Sequence, residues 1–359
     1  MKLLITNLYP PWKIGGVQKV ISEYSDRLSE RNKINVICCG RDGYVKNWNN
    51  IVVTQIKKSY TPLNLSLIAE IKKISKSYDL VHAHNFSNTM PFYTYLGIKN
   101  KPFIVSPHYH PTASNFYLGL IKSIYDPIVN YKILEKADKI LCVSNFEKET
   151  LIKKFKINQN KLCVIYNGVN IDKIRSYKPY DIDYKAIVSV GRLEKYKNIQ
   201  LVVRSMKYLK EDVKLIIIGE GDYKQNLMNV AKSEGVMKKV KFLGKIPEND
   251  LFSWLNTSCL LVNLSSIEAF GISVLEGLAA GCRAIVNNCM GLKELAGIFN
   301  NVEAINIMEL SDRQIAEIIE ENLYKRFQID DSLRKFDWNY ISTQYELIYK
   351  EALENRNIY

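Results

Sequence analysis

Short apolar runs recur along the chain, each followed by a longer stretch in which apolar side chains return every three or four positions. In the first half the runs are Leu3–Thr6, Ile34–Cys39, Ile51–Ile56, Leu80–His84, Phe103–Ser106, Ile140–Val143 and Leu162–Ile165. In the second half they are Ile187–Val190, Leu215–Ile218, Val240–Leu243, Leu260–Asn263 and Ala284–Val286. Runs that are continuous rather than alternating suit parallel strands covered by helices on both faces. Between them, Val17, Val20, Ile21, Tyr24 and Leu28 share one face at helical spacing. The rhythm predicts an α/β chain of two doubly wound, Rossmann-like domains. It breaks near Ile171–Lys185, where Asp, Lys, Tyr and a proline replace the apolar repeat. The expected division is a first domain over 1–172, a linker over 173–185, a second domain over 186–338 and a C-terminal segment over 339–359. Ile341, Tyr345, Ile348 and Tyr349 predict a helix within Tyr340–Leu353.

The length of 359 residues agrees with two domains on a prior of roughly 150 residues each. With 47% apolar and 24% charged residues, disorder, collagen-like repeats and a disulfide-stapled miniprotein are excluded. No apolar run approaches the roughly 20 residues of a membrane span. The opening Met1–Thr6 reads as a first strand, too short for a signal-peptide core, and predicts a cytoplasmic chain. The seven cysteines include no Cys-x-x-Cys pair and are expected to be buried, reduced thiols. Charge divides the chain: residues 1–180 carry 27 Lys+Arg against 12 Asp+Glu, a net +15, and the remainder is at −2. Two modules with different partners are implied.

Three motifs follow strands and precede helices, where open α/β sheets bind ligands. Gly15-Gly16 follows the first strand, and bare glycine backbone at a helix start lets N–H groups approach an anion. Gly191-Arg192-Leu193-Glu194-Lys195-Tyr196-Lys197-Asn198 sets Arg192 and Lys197 five residues apart at a strand-to-helix turn. Two cations converging there suit a diphosphate that gains charge as a bond to it breaks. Ser265-Ser266-Ile267-Glu268-Ala269-Phe270-Gly271-Ile272-Ser273-Val274-Leu275-Glu276 offers two carboxylates and the amides of a helix start. Taken alone, the paired carboxylates fit either a glycosidase acid and nucleophile or acceptors for sugar and ribose hydroxyls.

In combination these motifs resemble the group 1, family 4 glycosyltransferases of GT-B fold, over nearly the whole chain. Val143-Ser144-Asn145, Tyr166-Asn167-Gly168-Val169-Asn170, Gly219-Glu220-Gly221, Phe242-Leu243-Gly244 and Gly291-Leu292-Lys293-Glu294 add to the resemblance. It implies two Rossmann-like domains facing across a cleft, with the C-terminal helix crossing back to the first. It also implies a retaining transferase that takes a hexosyl group from a UDP- or GDP-sugar, with no cofactor and no obligatory metal. Arg192 and Lys197 would hold the donor diphosphate, Glu276 the ribose, and Glu268 with the amides of Phe270 and Gly271 the donor sugar. Gly191, Asn198, Gly221, Ala269 and Ile272 belong to the same donor-binding motifs. Gly15 and Gly16 would approach the donor from the acceptor domain, and His108 stands where the family often has a histidine touching the donor sugar. His82 and His84, at a strand end, are expected to be structural.

Three departures concern Arg283, where a proline is common, Gln18, where an acidic residue is frequent, and Asp222, where a proline often follows the Gly-x-Gly turn. None touches the implied diphosphate grip. A glycan or lipid-linked glycan is the expected acceptor. Lys72, Lys73 and Lys76 beside Leu65, Ile68, Ile71 and Ile74 suggest a basic amphipathic helix resting on an anionic membrane. The aromatic stretch Phe116, Tyr117, Leu120, Ile121, Ile124 and Tyr125 is a second candidate for that contact. The rival readings are a sugar-nucleotide epimerase of the same architecture and a non-catalytic carbohydrate-binding relative. A nucleic-acid partner is not expected, because no nucleic-acid module accompanies the basic charge.

Overall fold

A computed structural model describes residues 1–13, 15–57, 64–86, 88–109, 125–324 and 331–357. The chain divides into one unit of Met1–Asn167 with Trp338–Tyr359, and a second unit of Gly168–Asp337.

In the first unit the described strands are β1 (Lys2–Thr6), β2 (Lys33–Gly40), β3 (Tyr44–Trp48), β4 (Ile51–Lys57), β5 (Leu80–His84), β6 (Phe103–Ser106), β7 (Lys139–Cys142) and β8 (Leu162–Val164). They form one sheet in the order β3-β4-β2-β1-β5-β6-β7-β8. All neighbours run parallel except β3, which is antiparallel to β4. The apolar pattern gives no sign of β3. This edge strand is largely exposed and paired by register alone, and Asn49 turns the hairpin at a φ of 51°. Asparagine tolerates that left-handed conformation, so turn chemistry rather than burial makes the strand.

Leu3, Leu4, Ile5, Ile104 and Val105 are fully buried, as continuous parallel strands require. Helix Gly16–Ser29 buries Val20, Ile21, Tyr24 and Leu28. The C-terminal helix Trp338–Asn357 belongs to this unit and brings the Tyr345 ring onto Tyr24, with centroids 4.3 Å apart. Such a stacked pair adds about 0.5–1.5 kcal/mol beyond the area it buries. The strand order reverses between β1 and β5, so the loops after these strands flank a crevice at the carboxyl edge.

In the second unit the strands are β9 (Lys185–Val190), β10 (Val213–Ile218), β11 (Val240–Gly244), β12 (Leu260–Asn263), β13 (Arg283–Asn287) and β14 (Val302–Ile305). The order is β11-β10-β9-β12-β13-β14, all parallel. Here the reversal lies between β9 and β12. Arg283 opens β13 and donates from Nε to Asn322 Oδ1 at 2.9 Å, so a side-chain tie replaces the stiffness of a proline. β14 is short, lies at the edge and carries Glu303, which hides it from a search for apolar runs.

The expected linker is partly helical, over Ile171–Arg175. Among the described residues no helix is long and apolar enough to cross a membrane. All seven cysteines are free. Cys38, Cys39, Cys142 and Cys282 are buried and Cys163 and Cys289 partly so, but Cys259 is exposed, contrary to the general expectation of burial.

Candidate functional site

The crevice of the second unit is built from the loops after β9 and β12. Strand β9 ends at Val190, and Gly191 turns the chain at a φ of 151° before Arg192. A single 3₁₀ turn, Lys195–Lys197, follows, and Asn198 enters helix Ile199–Ser205 in the left-handed conformation at a φ of 54°. Asn198 is there because its side chain ties the two loops: Nδ2 donates to the Leu264 carbonyl at 2.9 Å and to Ser266 Oγ at 2.7 Å. The Ser266 amide donates in turn to the Tyr196 carbonyl at 2.8 Å.

Across this seam Lys197 Nζ meets Glu268 Oε2 at 2.5 Å. Their side chains are 15% and 23% exposed, so the pair is shielded yet open to a ligand on one side. Chemically, a lysine ammonium can donate to an anionic oxygen and a carboxylate can accept from hydroxyl groups. Arg192 is exposed, and Nη2 donates to the Tyr196 hydroxyl at 3.0 Å. After Glu268, Ala269 and the buried Phe270 lead to Gly271, which starts helix Ile272–Ala279 at a φ of 103°. That backbone suits glycine, and it turns the helix N-terminus toward the loop. Glu276 lies in the second turn of this helix and is 5% exposed. Gly221 stands against the backbone of the first loop: the Leu193 amide donates to Glu220 O at 3.0 Å, and the Tyr223 amide to Leu193 O at 2.9 Å. A Cβ on Gly221 would lie 2.4 Å from the Leu193 carbonyl oxygen, so only glycine fits. Sequence motifs up to 71 residues apart are therefore in direct contact at Lys197 and Glu268.

In the first unit Gly15 is the N-cap of helix Gly16–Ser29, with no side-chain cap hydrogen bond. His108 follows β6 at a φ of 47°, a conformation that costs a residue with a Cβ about 1–3 kcal/mol unless its surroundings hold it. The neighbours do so. The Tyr109 amide donates to Glu147 Oε1 at 2.6 Å, and the Tyr109 hydroxyl donates to Asp126 Oδ2 at 2.7 Å. Glu147 Oε2 accepts from the Val143 amide at 2.7 Å, and the Glu147 amide donates to Ser144 Oγ at 3.1 Å. Ser144 thus caps helix Asn145–Phe155, and the Glu147 carboxylate ties the residue before the cap to the His108 loop, through Val143 and Tyr109. Burial pushes the Glu147 carboxyl up to about 7, against the two amides that favour its ionised form.

His82 and His84 are fully buried on β5, and His84 Nδ1 lies 3.2 Å from His108 Nε2. They are structural in the sense of being interior, but they adjoin His108. Their i, i+2 spacing, which puts both on one face of a strand, is the signal for this arrangement. His110 and the stretch 116–124 lie outside the described residues. Helix Leu65–Ser75 turns Leu67 and Ile71 into the core and half-buries Ile68 and Ile74, whereas Leu65, the first residue of the expected apolar face, is exposed with Lys72, Lys73 and Lys76. Among the described residues no cluster of three or more His, Cys, Asp or Glu could hold a metal ion.

Known proteins share this arrangement of sequence and fold. The family model for glycosyl transferases group 1 matches residues 170–332, and that for glycosyltransferase family 4 matches residues 14–173. An uncharacterised glycosyltransferase of Methanocaldococcus jannaschii is 27% identical over 98% of both chains. The Escherichia coli UDP-Gal:α-D-GlcNAc-diphosphoundecaprenol α-1,3-galactosyltransferase is 25% identical over 86% of this chain and 88% of its own. Among solved structures, Anabaena HepE in complex with UDP superposes with a TM-score of 0.77 at 18% identity, over 98% of this chain and 100% of that one. With both halves matched by family models, full-length relatives and a shared GT-B fold, the chain belongs to the group 1, family 4 glycosyltransferases.

Proposed function

We propose that this glycosyltransferase moves a hexosyl group from a UDP- or GDP-sugar to a glycan or lipid-linked glycan, with retention at the anomeric carbon and without an obligatory metal. The observation that carries the reading is the Lys197–Glu268 pair, which joins the loops after β9 and β12 at the reversal of strand order. As the bond from the anomeric carbon to the diphosphate breaks, negative charge grows on the leaving oxygens, and Arg192 and Lys197 stabilise it. Two fixed cations do there what a divalent ion does in other transferases. Glu268 accepts hydrogen bonds from the donor sugar, with the amides of Phe270 and Gly271 beside it. Glu276 accepts them from the ribose diol. His108, held in a strained conformation by Glu147 and Tyr109, touches the donor sugar.

The acceptor reading is supported by the net +15 of residues 1–180 and by the diphosphoundecaprenol acceptor in the name of the E. coli relative. The enzyme works at the cytosolic face of an anionic membrane, which it meets through exposed lysines such as Lys72, Lys73 and Lys76. Contact of this kind is mainly electrostatic, because Ile71 is buried and Ile68 and Ile74 are half-buried, leaving Leu65 as the exposed apolar residue of the face. A thermal-shift screen of the purified chain against UDP, GDP and their sugars tests the donor. One nucleotide series should raise the melting temperature in the presence of EDTA. No shift with either series at millimolar ligand would overturn the reading.

A further inference from the structure

In the second unit the loop after β13 lies against the Glu268 loop. Asn287, the last residue of β13, is buried, as is Ser265. Asn287 Nδ2 donates to the Ser265 carbonyl at 3.2 Å and to Cys289 Sγ at 3.3 Å, and the Cys289 thiol donates to the same carbonyl at 3.2 Å. Burial, and then the Glu268 charge, pushes that thiol up to about 11, so it keeps its proton and remains a donor near neutral pH. Met290 next turns the chain at a φ of 47°, a conformation that residues with a Cβ rarely adopt. The Cys289 amide on the Asn287 carbonyl, at 2.7 Å, and the Lys293 amide on the Cys289 carbonyl, at 3.1 Å, hold it on either side. The turn brings the Gly291 amide to the Glu268 carbonyl at 3.2 Å. A Cβ on Gly291 would lie 2.2 Å from the Ala269 carbonyl oxygen and 2.7 Å from Phe270 Cα, so the two loops touch backbone to backbone.

These contacts complete a grip from two sides. Leu264 and Ser266 are tied to the loop after β9, by Asn198 Nδ2 and by the Ser266 amide on the Tyr196 carbonyl. Ser265 and Glu268 are tied instead to the loop after β13, by Asn287, Cys289 and the Gly291 amide. Strand β12 runs between β9 and β13, and successive residues of extended chain point to opposite sides. The segment leaving β12 is therefore held by both of its neighbours in the sheet. Bonds to its carbonyls fix the course of the main chain, and the Glu268 carboxylate, 2.5 Å from Lys197 Nζ, is then placed by its own side-chain torsions.

We propose that Asn287 and Cys289, with the Gly291 amide, are positioning residues for Glu268, holding its loop from the β13 side so that its carboxylate and the Phe270 and Gly271 amides keep one place relative to Lys197. A reacting constellation works only when held within about 0.5 Å of its productive geometry, and a displacement of about 1 Å can cost about 100-fold in rate. The consequence for turnover rests on the reading above, in which Glu268 meets the donor sugar; the grip on the loop does not.

The test compares the full chain carrying C289A, C289S or G291A. C289A removes the thiol donor and takes a partner from Asn287, whereas C289S sets a hydroxyl donor beside the same carbonyl. In hydrolysis of UDP-galactose, UDP-glucose or GDP-mannose, C289A should lose about tenfold in kcat, the scale of a lost supporting partner. C289S should stay within about twofold of the wild type, since its hydrogen bond is kept. G291A, whose Cβ must push the Ala269 carbonyl away, should lose about 100-fold. Calorimetric titration with UDP and GDP should show affinities within about threefold of the wild type in all three variants, because the loss falls on the transition state. Hydrogen exchange over residues 264–271, which needs no substrate, should quicken in C289A and return to the wild-type rate in C289S. If circular dichroism shows that G291A has lost its fold, the two Cys289 variants carry the test. Unchanged kcat in C289A, C289S as slow as C289A, or diphosphate affinity lost in step with kcat would overturn the positioning role. Unchanged exchange in C289A would overturn the grip itself. Faster exchange in C289A that C289S reverses, in a protein that turns over no nucleotide sugar, would uphold the grip and refute the donor reading instead.

Discussion

Acidification from about pH 7.5 to about pH 5.5 perturbs three buried groups of the first unit in opposite senses. His82 and His84 have folded-state pKa values well below their ordinary 6.5. The stability they contribute is present above 6.5 and lost as the pH falls, because the unfolded chain takes up protons that the folded one refuses. Over this span each costs ~1.4 kcal/mol, or ~2.7 kcal/mol together. Glu147 runs the other way: its carboxyl stands at about 7 folded against 4.5 unfolded. Its contribution is fully present below 4.5 and lost as the pH rises through 7, so acidification restores ~1.8 kcal/mol. The wild type should therefore lose only ~1 kcal/mol from these groups, whereas E147Q, which lacks the compensating carboxyl, should lose ~3 kcal/mol. Other titrating groups are common to both proteins, so the comparison isolates Glu147. Urea unfolding followed by tryptophan fluorescence suits the measurement, since Trp12, Trp48 and Trp338 lie in the first unit and Trp254 alone in the second. Equal losses in the two proteins would refute the argument for Glu147. A first unit that gains stability on acidification in E147Q would refute it for the histidines.

R192A and K197A should each lower kcat by about 10²–10³, since one lost donor to developing charge costs roughly 2.7–4 kcal/mol, with donor binding much less affected. Steady-state kinetics that show only a raised KM would contradict the leaving-group role. E276A should weaken binding of free nucleoside diphosphate, whereas E268A should mainly slow sugar transfer; calorimetric titration of both variants separates the roles, and equal losses of affinity would merge them. The chain should sediment with anionic but not neutral liposomes, less so at high salt and after Lys72, Lys73 and Lys76→Glu. Indifference of the wild type to anionic lipid at low salt would point to a soluble acceptor.

The two parallel sheets are legible in the sequence because strands covered on both faces need continuous apolar runs. The edge strands β3 and β14 are not, since Tyr44–Trp48 and Val302–Ile305 owe their pairing to a turn and to a neighbour. The same division runs through the candidate site. Gly191, Gly271, Arg192, Lys197 and Glu268 stand out as motifs, because turn geometry and charge at a strand end are local properties. Their meeting is not local. The seam made by Asn198, Leu264 and Ser266 brings Lys197 to Glu268, and no spacing rule contains it. Ser144 is readable as a helix cap with Glu147 at the third position, yet the reach of the Glu147 carboxylate to Tyr109 depends on tertiary structure. Two readable periodicities meet in the interior of the first unit, His82 with His84 on one strand face and Tyr345 with Tyr349 one helical turn apart. What joins them is the docking of the last helix on Tyr24.

Transfer from a nucleotide-diphosphate sugar, with retention and without metal, is the reaction proposed for this site. It is tested most directly by ¹H NMR of α-linked UDP-galactose, UDP-glucose and GDP-mannose incubated with the enzyme and EDTA. The sugar transferred to water needs no knowledge of the natural acceptor, and its anomeric proton is visible before mutarotation. At least one donor should release its sugar first as the α anomer, at a rate that EDTA leaves unchanged. Release of the β anomer, or activity abolished by EDTA and restored by manganese, would contradict it.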